Sequence, residues 1–208
     1  MVSAITCVAV ALAFIVTSSL FLVRRVKSCA QNEQDIIATP TISRDCAVFT
    51  SFGSTRIKGS PDDVFAAILD FETYSTWSPY VEYKWSETGA DGLPSVGSSG
   101  TFKLTDEDTI CRTIPVRLTM LDLKRRVVSE VSTMYPRWLL ASERVQEVLP
   151  IESSPGYCEY RTYHTYEGFA SYYLLLATRE DMIETERQCA SDLDAFIQEK
   201  TSFGKTKK

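Results

Sequence analysis

The first 30 residues differ sharply in pattern from the rest of the chain. Residues 4–23 form an uninterrupted apolar run that contains no charged side chain. About 20 helical residues span the roughly 30 Å hydrocarbon core of a bilayer, so this run predicts a membrane-spanning helix. Arg24, Arg25 and Lys27 follow the run directly. Because basic residues stay on the cytosolic side, we expect residues 1–27 to form a single-pass anchor with the following domain facing the cytosol.

A cleaved signal peptide is the main alternative for this segment. Such a peptide carries positive charge before its apolar run and a small-x-small site after it, whereas here the basic residues come afterwards. A transit peptide fits less well, because residues 4–23 contain no arginine. Residues 28–45 are polar and show no period, which predicts a tether between the anchor and a folded domain.

A strand followed by a well-marked helix start opens the domain. Residues 48–57 are rich in β-branched and aromatic side chains and predict a strand. Ser60 can cap a helix, and Pro61 suits its first position. A second short helix is expected over residues 71–77, before Pro79. Apolar residues recur on one face of the first helix, namely Val64, Phe65, Ile68 and Leu69.

The middle of the domain reads as an antiparallel meander. Short segments with strand character are separated by turn residues, and this regular spacing is typical of consecutive antiparallel strands. The predicted strands cover residues 81–88, 100–105, 109–121, 126–133, 139–149 and 157–166.

A long helix is expected to end the domain, over residues 168–200. Its apolar stripe must be covered, and the sheet is the available partner. We therefore predict an α+β fold in which a curved antiparallel sheet of about seven strands wraps around the C-terminal helix. Curvature leaves a gap between sheet and helix where a ligand fits. The stripe consists of Phe169, Tyr172, Tyr173, Leu176, Ile183, Ala190, Leu193 and Ile197.

Two blocks of the sequence resemble a known superfamily. Residues 60–79 (SPDDVFAAILDFETYSTWSP) resemble the opening of the SRPBCC, or START-like, superfamily, in particular its polyketide cyclase/dehydrase branch, which also holds coenzyme Q-binding START-like proteins. The ERVQ segment at residues 143–146 and the YEGFA segment at 166–170 resemble the later part of that branch. The resemblance implies a helix-grip fold over about residues 48–200. The superfamily contains lipid carriers, ligand binders and aromatic cyclases, so it implies a fold more than an activity. We place the domain at residues 46–200, followed by a basic tail at 201–208.

The last predicted strand carries the main candidate for chemistry. Tyr160, Thr162, His164 and Tyr166 share one parity, which strand alternation places on the concave face. His164, the single histidine of the chain, is therefore a candidate general acid/base, with the tyrosines orienting an oxygenated substrate. The alternative is a hydrogen-bonded core histidine or a passive ligand contact.

The sequence pattern does not decide the position of the other candidate cavity residues. Arg144 lies in a strand whose two parities are both partly polar, so it either faces solvent or points inward to hold a carboxylate or enolate. Trp77 either packs the two short helices or covers the cavity mouth. Phe169 and Tyr173 are expected to contact the sheet and also to form the far wall of the cavity.

Charge and composition exclude several classes of function. The net charge is −5, and the three basic residues of the first 30 leave −8 on the remainder. An acidic domain argues against binding nucleic acid. The six cysteines are scattered and a lone histidine cannot form a multi-histidine site, so neither a metal nor a cofactor is expected.

Three hypotheses for function follow. The first is a module that binds a small hydrophobic molecule (lipid, polyketide or terpenoid-like) in an internal cavity beside a membrane. The second is a cofactor-independent cyclase, dehydratase or isomerase that acts on a secondary-metabolite intermediate, with His164 as acid/base. The third, a structural adaptor, explains a polar and aromatic interior poorly.

Overall fold

The computed structural model describes residues 36–79, 81–105 and 111–206. The predicted anchor, residues 1–27, lies outside this range. Within it, no helix has both the length and the apolar character needed to cross a bilayer.

A single antiparallel sheet of seven strands organises the domain, in the order β1-β7-β6-β5-β4-β3-β2. Each strand pairs with its chain neighbour except β1, which pairs with β7. The predicted curved antiparallel sheet is confirmed, with strand boundaries within a few residues of those expected. The strands are β1 (Ala47–Lys58), β2 (Val81–Trp85), β3 (Ser99–Thr105), β4 (Cys111–Asp122), β5 (Val127–Ser132), β6 (Ala141–Pro150) and β7 (Tyr157–Glu167).

The first helix, α1 (Pro61–Leu69), begins where its sequence signals indicate. The Ser60 Oγ accepts a hydrogen bond from the Asp63 backbone N–H at 3.2 Å, and Pro61 occupies the first turn. The apolar face of α1 is buried against the sheet. A 3₁₀ helix (Tyr74–Thr76) stands where the second short helix is expected and brings Tyr74 into the core.

The predicted single C-terminal helix is two helices, α2 (Ser171–Ala177) and α3 (Arg179–Thr206). They meet at Thr178, whose φ of −139° and ψ of 7° depart from helical geometry. The Thr178 hydroxyl bonds back to the Leu174 carbonyl at 3.1 Å, and its own carbonyl accepts from Met182 in α3. A β-branched residue with a hydroxyl that bonds local backbone favours such a break. The helix also continues to Thr206, past the predicted end at residue 200.

Helix α3 crosses the sheet at β1, where a glycine permits a very close approach. A Cβ atom at Gly53 would lie 2.4 Å from the Glu186 carbonyl oxygen of α3. The missing side chain therefore lets the helix backbone rest on the strand. Further along α3, the side chains of Ala190, Leu193 and Ile197 are buried.

Residues 37–42, which we call the strap, cover the convex face of the sheet. The Ile37 N–H donates to Thr50 Oγ1 at 3.0 Å, and Thr165 Oγ1 donates to the Ile37 carbonyl at 2.7 Å. Ile42 is fully buried. The sequence assigns these residues to the tether, but they belong to the folded unit.

Glu143 of β6 holds the strap in place. Its buried carboxylate accepts hydrogen bonds from the Thr39 hydroxyl at 2.5 Å and from the N–H and hydroxyl of Thr41 at 2.8 and 2.7 Å. On its other oxygen it accepts from Thr119 at 2.5 Å and Ser129 at 3.1 Å. Five donors thus converge on one carboxylate, and none of them is charged.

Candidate functional site

Polar side chains form a row across the concave face of the sheet. Glu130 of β5 lies opposite Arg144 of β6, Arg144 lies opposite His164 of β7, and His164 lies opposite Ser51 of β1. Directly opposite residues of antiparallel strands share a face, so the register alone brings this row together. Together with neighbouring side chains it forms what we call the polar cluster: Glu130, Arg144, His164, Tyr74, Tyr83, Gln146, Tyr160, Thr162, Glu186 and Cys189.

Arg144 occupies the centre of the polar cluster and is 4% exposed. Its Nη1 donates to the hydroxyls of Tyr83 and Tyr74, at 3.1 and 3.4 Å. Its Nε donates to Thr162 Oγ1 at 3.3 Å, and its Nη2 contacts Cys189 Sγ at 3.0 Å. None of these four acceptors is a carboxylate.

The phenol groups around Arg144 also connect the cluster to buried acceptors. Tyr83 donates to Glu130 Oε1 at 2.6 Å, while Tyr74 and Tyr160 both donate to Gln146 Oε1, at 3.0 and 2.8 Å. Burial raises the pKa of all three tyrosines well above the usual value. These hydroxyls therefore remain neutral and supply no negative charge to offset that of Arg144.

His164 and Glu186 form a hydrogen-bonded imidazole–carboxyl pair within the cluster. The His164 Nδ1 lies 2.5 Å from Glu186 Oε1, and Thr162 donates to the other Glu186 oxygen at 2.7 Å. With 22% of its side chain exposed, His164 is reached by solvent, whereas Glu186 is 5% exposed. A histidine held at one ring nitrogen by a carboxylate has a fixed ring orientation and leaves Nε2 available for a proton.

The pKa values of the two buried glutamates of the cluster are shifted in opposite directions. Burial raises the pKa of Glu130, and the Arg144 charge and the Tyr83 hydrogen bond only partly offset this. Burial would also raise the pKa of Glu186, but attraction to His164, their hydrogen bond and the Arg144 charge bring it to about 2. Glu186 is thus the ionised partner at neutral pH, while Glu130 resists ionisation.

An aromatic wall adjoins the polar cluster on the side of β2 and β3. The Tyr83 ring lies 5.1 Å from Phe102 and 5.4 Å from Phe71, between ring centroids. Trp85 stands 5.5 Å from Phe71. Trp85 and Phe102 are only partly buried, so apolar surface remains accessible beside the charged groups.

Comparison with known proteins bears on the fold. No family model matches the sequence, and no curated protein matches it either. Solved structures match over most of the chain. The di-domain ARO/CYC BexL from the BE-7585A biosynthetic pathway aligns with a TM-score of 0.57 at 14% identity, over 72% of this chain and 46% of BexL. This chain therefore corresponds to about half of BexL.

Two single-domain structures align over nearly their whole length. A START superfamily protein from Mycobacterium smegmatis has a TM-score of 0.53 at 13% identity, over 72% of this chain and 97% of its own. Norcoclaurine synthase from Thalictrum flavum has a TM-score of 0.55 at 12% identity, over 79% and 95%. The chain has the START-like helix-grip fold. At these identities the likeness establishes the architecture and leaves the activity open.

The START-like domain brings most of the predicted cavity residues to one face. Tyr160, Thr162 and His164 lie on the concave side as the strand parity predicts, and Arg144 points inward beside them. The role of each residue in binding or catalysis stays a prediction. Tyr166 shares the same parity but lies one step further along β7, where it stacks on Phe49 with ring centroids 4.5 Å apart.

Three predicted residues lie apart from the polar contacts. Trp77 is buried and packs on Tyr74, with ring centroids 4.2 Å apart, as the packing interpretation expects. Phe169 and Tyr173 are largely exposed at the start of the last helical region. These two side chains face outward and are not buried against the sheet as expected; Tyr173 belongs to the separate short helix α2, and Phe169 precedes it.

Sequence reasoning missed Glu186, although a signal for it exists. The predicted apolar stripe of the last helix omits Glu186, but its side chain is buried and bonded to Thr162 and His164 of β7. Glu186 stands three residues after Ile183 and four before Ala190, so it occupies the apolar stripe itself. An acid within such a stripe indicates a buried partner, here His164. Glu130, Tyr83 and Gln146 carry no comparable signal.

The domain also has an open groove of about 570 Å³ outside the polar cluster. Loop residues Gly89–Val96 and the end of β4 line it, including Leu121 and Leu123, and it contains none of the predicted site residues. Within the described residues, no group of three or more histidine, cysteine or acidic side chains is arranged to hold a metal ion.

Proposed function

We propose that this START-like domain binds a small hydrophobic molecule that carries an acidic or carbonyl oxygen, and that it does so beside a membrane. The observation that carries the proposal is the buried guanidinium of Arg144. The molecule's oxygen would bind there, and its apolar body would lie along the aromatic wall.

The surroundings of Arg144 support an acceptor from outside the chain. No carboxylate of the described residues lies within ion-pair distance of its guanidinium. Glu186 interacts with Arg144 at longer range and is linked to it by Thr162, which accepts from Arg144 and donates to Glu186. A buried cation without a paired anion is costly, and an oxyanion would form stronger, charge-assisted bonds than phenols do.

Buried donors without a hydrogen-bond partner in the same interior also support an acceptor from outside the chain. Gln146 Nε2 and the indole nitrogens of Trp77 and Trp85 are buried and have no hydrogen-bond partner among the described residues. Buried donors normally have partners, so acceptor oxygens of a bound molecule are a consistent complement. The norcoclaurine synthase neighbour is a complex with dopamine and hydroxybenzaldehyde, which supports an oxygenated aromatic molecule as the class to test.

A first experiment identifies the molecule directly. Full-length protein is purified in mild detergent, extracted with organic solvent, and the extract is analysed by mass spectrometry. We expect a stoichiometric oxygenated hydrophobic compound with the wild type and its loss from Arg144→Met. Arg117→Met, which changes an exposed arginine of β4, is the matched control. Equal retention by both variants would contradict the assignment of Arg144.

The membrane part of the proposal depends on residues 4–23. We expect alkaline carbonate to leave the full-length protein in the membrane fraction, because a spanning helix is not released by loss of peripheral contacts. Release into the supernatant would favour a cleaved or peripheral form, without bearing on ligand binding.

An enzyme is the second candidate, favoured by the pairing of His164 with Glu186. In a cofactor-independent cyclisation, dehydration or isomerisation, the His164 Nε2 would transfer a proton to or from the bound molecule while Glu186 orients the ring. Turnover of candidate polyketide or terpenoid intermediates is compared for wild type, His164→Ala and Glu186→Gln. Unchanged turnover in His164→Ala would remove His164 from the mechanism.

A further inference from the structure

Helix α2 is apolar on both sides, which is unusual for an exposed helix. Its sequence, SYYLLLA, contains no charged residue. Tyr172, Leu174 and Leu175 pack inward on a small core cluster around Phe49 and Tyr166. A helix that is hydrophobic all round is normally buried all round, so the outward side calls for a partner.

The outward side of α2 forms part of a continuous apolar surface. Phe169, Tyr173 and Leu176 follow one another at helical spacing and are 69%, 71% and 63% exposed. Trp138, in the β5–β6 connection, is 72% exposed, and its backbone lies beside that of Phe169, whose N–H donates to the Trp138 carbonyl at 2.9 Å. We call this surface the aromatic edge: Trp138, Phe169, Tyr173 and Leu176.

The chain enters the described fold at β7, a few residues before the aromatic edge. Ile37 is bonded to Thr165, which stands four residues before Phe169. Eight residues, 28–35, separate Lys27 from Ile36 and span at most roughly 28 Å when fully extended. An anchor ending at Lys27 would therefore hold the aromatic edge within reach of the bilayer surface.

We propose that the aromatic edge inserts into the interfacial layer of the bilayer and directs the solvent-reached His164 side of the polar cluster toward the lipid. The inference rests on the proposed anchor. Tryptophan and tyrosine favour this interface because each joins an apolar ring to a polar tip. The four side chains are uncharged and the neighbouring Arg137 is paired with Glu167, so apolar insertion supplies most of the binding free energy.

This arrangement gives the bound molecule a short route from the membrane. His164, the solvent-reached histidine of the polar cluster, stands five residues before Phe169 on the same strand and turn, a distance of roughly 16 Å along the chain. A membrane-dissolved molecule would pass the aromatic edge and reach Arg144 and His164 without crossing bulk water.

Tryptophan fluorescence tests the insertion in the full chain. Of the three tryptophans, Trp138 alone lies on the edge, while Trp77 is buried. The protein is reconstituted in phosphatidylcholine vesicles with or without brominated acyl chains, which quench tryptophan at short range. We expect clear quenching in the wild type and its loss in Trp138→Phe.

Two further variants make the test specific to the edge. The pair Phe169→Ser and Tyr173→Ser, combined in one protein, is expected to lower the quenching of Trp138 at least twofold. Leu123→Ser, which changes an exposed leucine outside the edge, is the matched control and should leave it unchanged. Circular dichroism of each variant confirms that the fold is retained.

Each outcome distinguishes insertion of the aromatic edge into the bilayer from coverage of the edge by protein. Membrane-retained protein with unquenched Trp138 would overturn the proposal and leave the anchor intact, since a second copy or residues 1–35 would then cover the edge. Quenching of carbonate-extractable protein would refute the anchor and support the edge as a peripheral docking surface. Failure of the full chain to associate with vesicles would refute both.

Discussion

Two adjacent residues of β6, Glu143 and Arg144, are both buried, oppositely charged and on opposite faces of the sheet. Glu143 on the convex face accepts five hydrogen bonds from neutral donors, several at 2.5 to 2.8 Å. Arg144 on the concave face donates to two phenols and a hydroxyl at 3.1 to 3.4 Å and to a thiol at 3.0 Å. Both charges are bonded within the chain, but Arg144 has longer contacts to oxygen than Glu143 and, among the residues that the structure describes, no carboxylate within ion-pair distance. Under the proposed function, this difference separates a structural site from one prepared for a ligand.

The largest effect is expected from Glu143→Ala. Removing the carboxylate leaves the hydroxyls of the strap, Thr119 and Ser129 without their acceptor, and detaches residues 37–42 from the sheet. We expect the free energy of unfolding to fall by about 4 kcal/mol, measured by urea denaturation in detergent. Glu152→Ala, at an exposed loop position, serves as control. A loss as small as that of the control would mean that the strap does not depend on Glu143.

Acid should weaken the fold through Glu186. Its folded pKa of about 2 lies below the ordinary value of 4.5, so its contribution is full above the ordinary pKa and is lost as the pH falls toward 2. The expected loss between pH 6 and pH 2 is about 3 kcal/mol, and Glu186→Gln should lack this component. Urea denaturation at stepped pH measures it. Parallel pH profiles for the two proteins would contradict the assignment.

Arg144→Met should reduce binding of the identified molecule far more than it alters stability. Loss of a charge-assisted contact predicts about 100-fold weaker binding, measured by isothermal titration. Methionine fills similar apolar volume, and no carboxylate of the described residues depends on Arg144 as a direct partner. A large loss of stability with intact affinity would reverse the comparison and make Arg144 the structural residue.

The smallest effect is expected from Glu130→Gln. Burial raises the pKa of Glu130 in the folded protein, so ionisation costs folding free energy as the pH rises above its ordinary value. The amide removes this cost and can still accept from Tyr83. We expect slightly higher stability than wild type at pH 8 and no advantage at pH 4, measured by thermal unfolding. Lower stability at pH 8 would show that the ionised form is favoured.

The sequence predicts most of the fold because its local signals agree with the tertiary structure. The Ser60 cap and the Pro61 start mark α1, and the turn residues divide the meander into the observed strands. The parity of β7 places His164 correctly on the concave face. The break at Thr178 is missed because a single threonine changes the apolar periodicity very little.

The site is predicted only in part, because it depends on contacts between distant segments. Arg144 is ambiguous in isolation, since both parities of β6 carry polar residues and both faces prove to be buried. The strap explains this: it covers the convex face, so Glu143 is inside as well. No local pattern reveals that residues 37–42, over 100 positions away, complete that layer.

The position of α3 has a consequence for engineering this scaffold. Gly53 fixes how closely the helix lies over β1, since one added methyl group would overlap the Glu186 carbonyl. The absence of a Cβ atom at Gly53 therefore sets the width of the interior. Alanine there would lift the helix, enlarging the space available to a guest while drawing Glu186 away from His164, so that capacity and proton-transfer geometry would change in opposite directions.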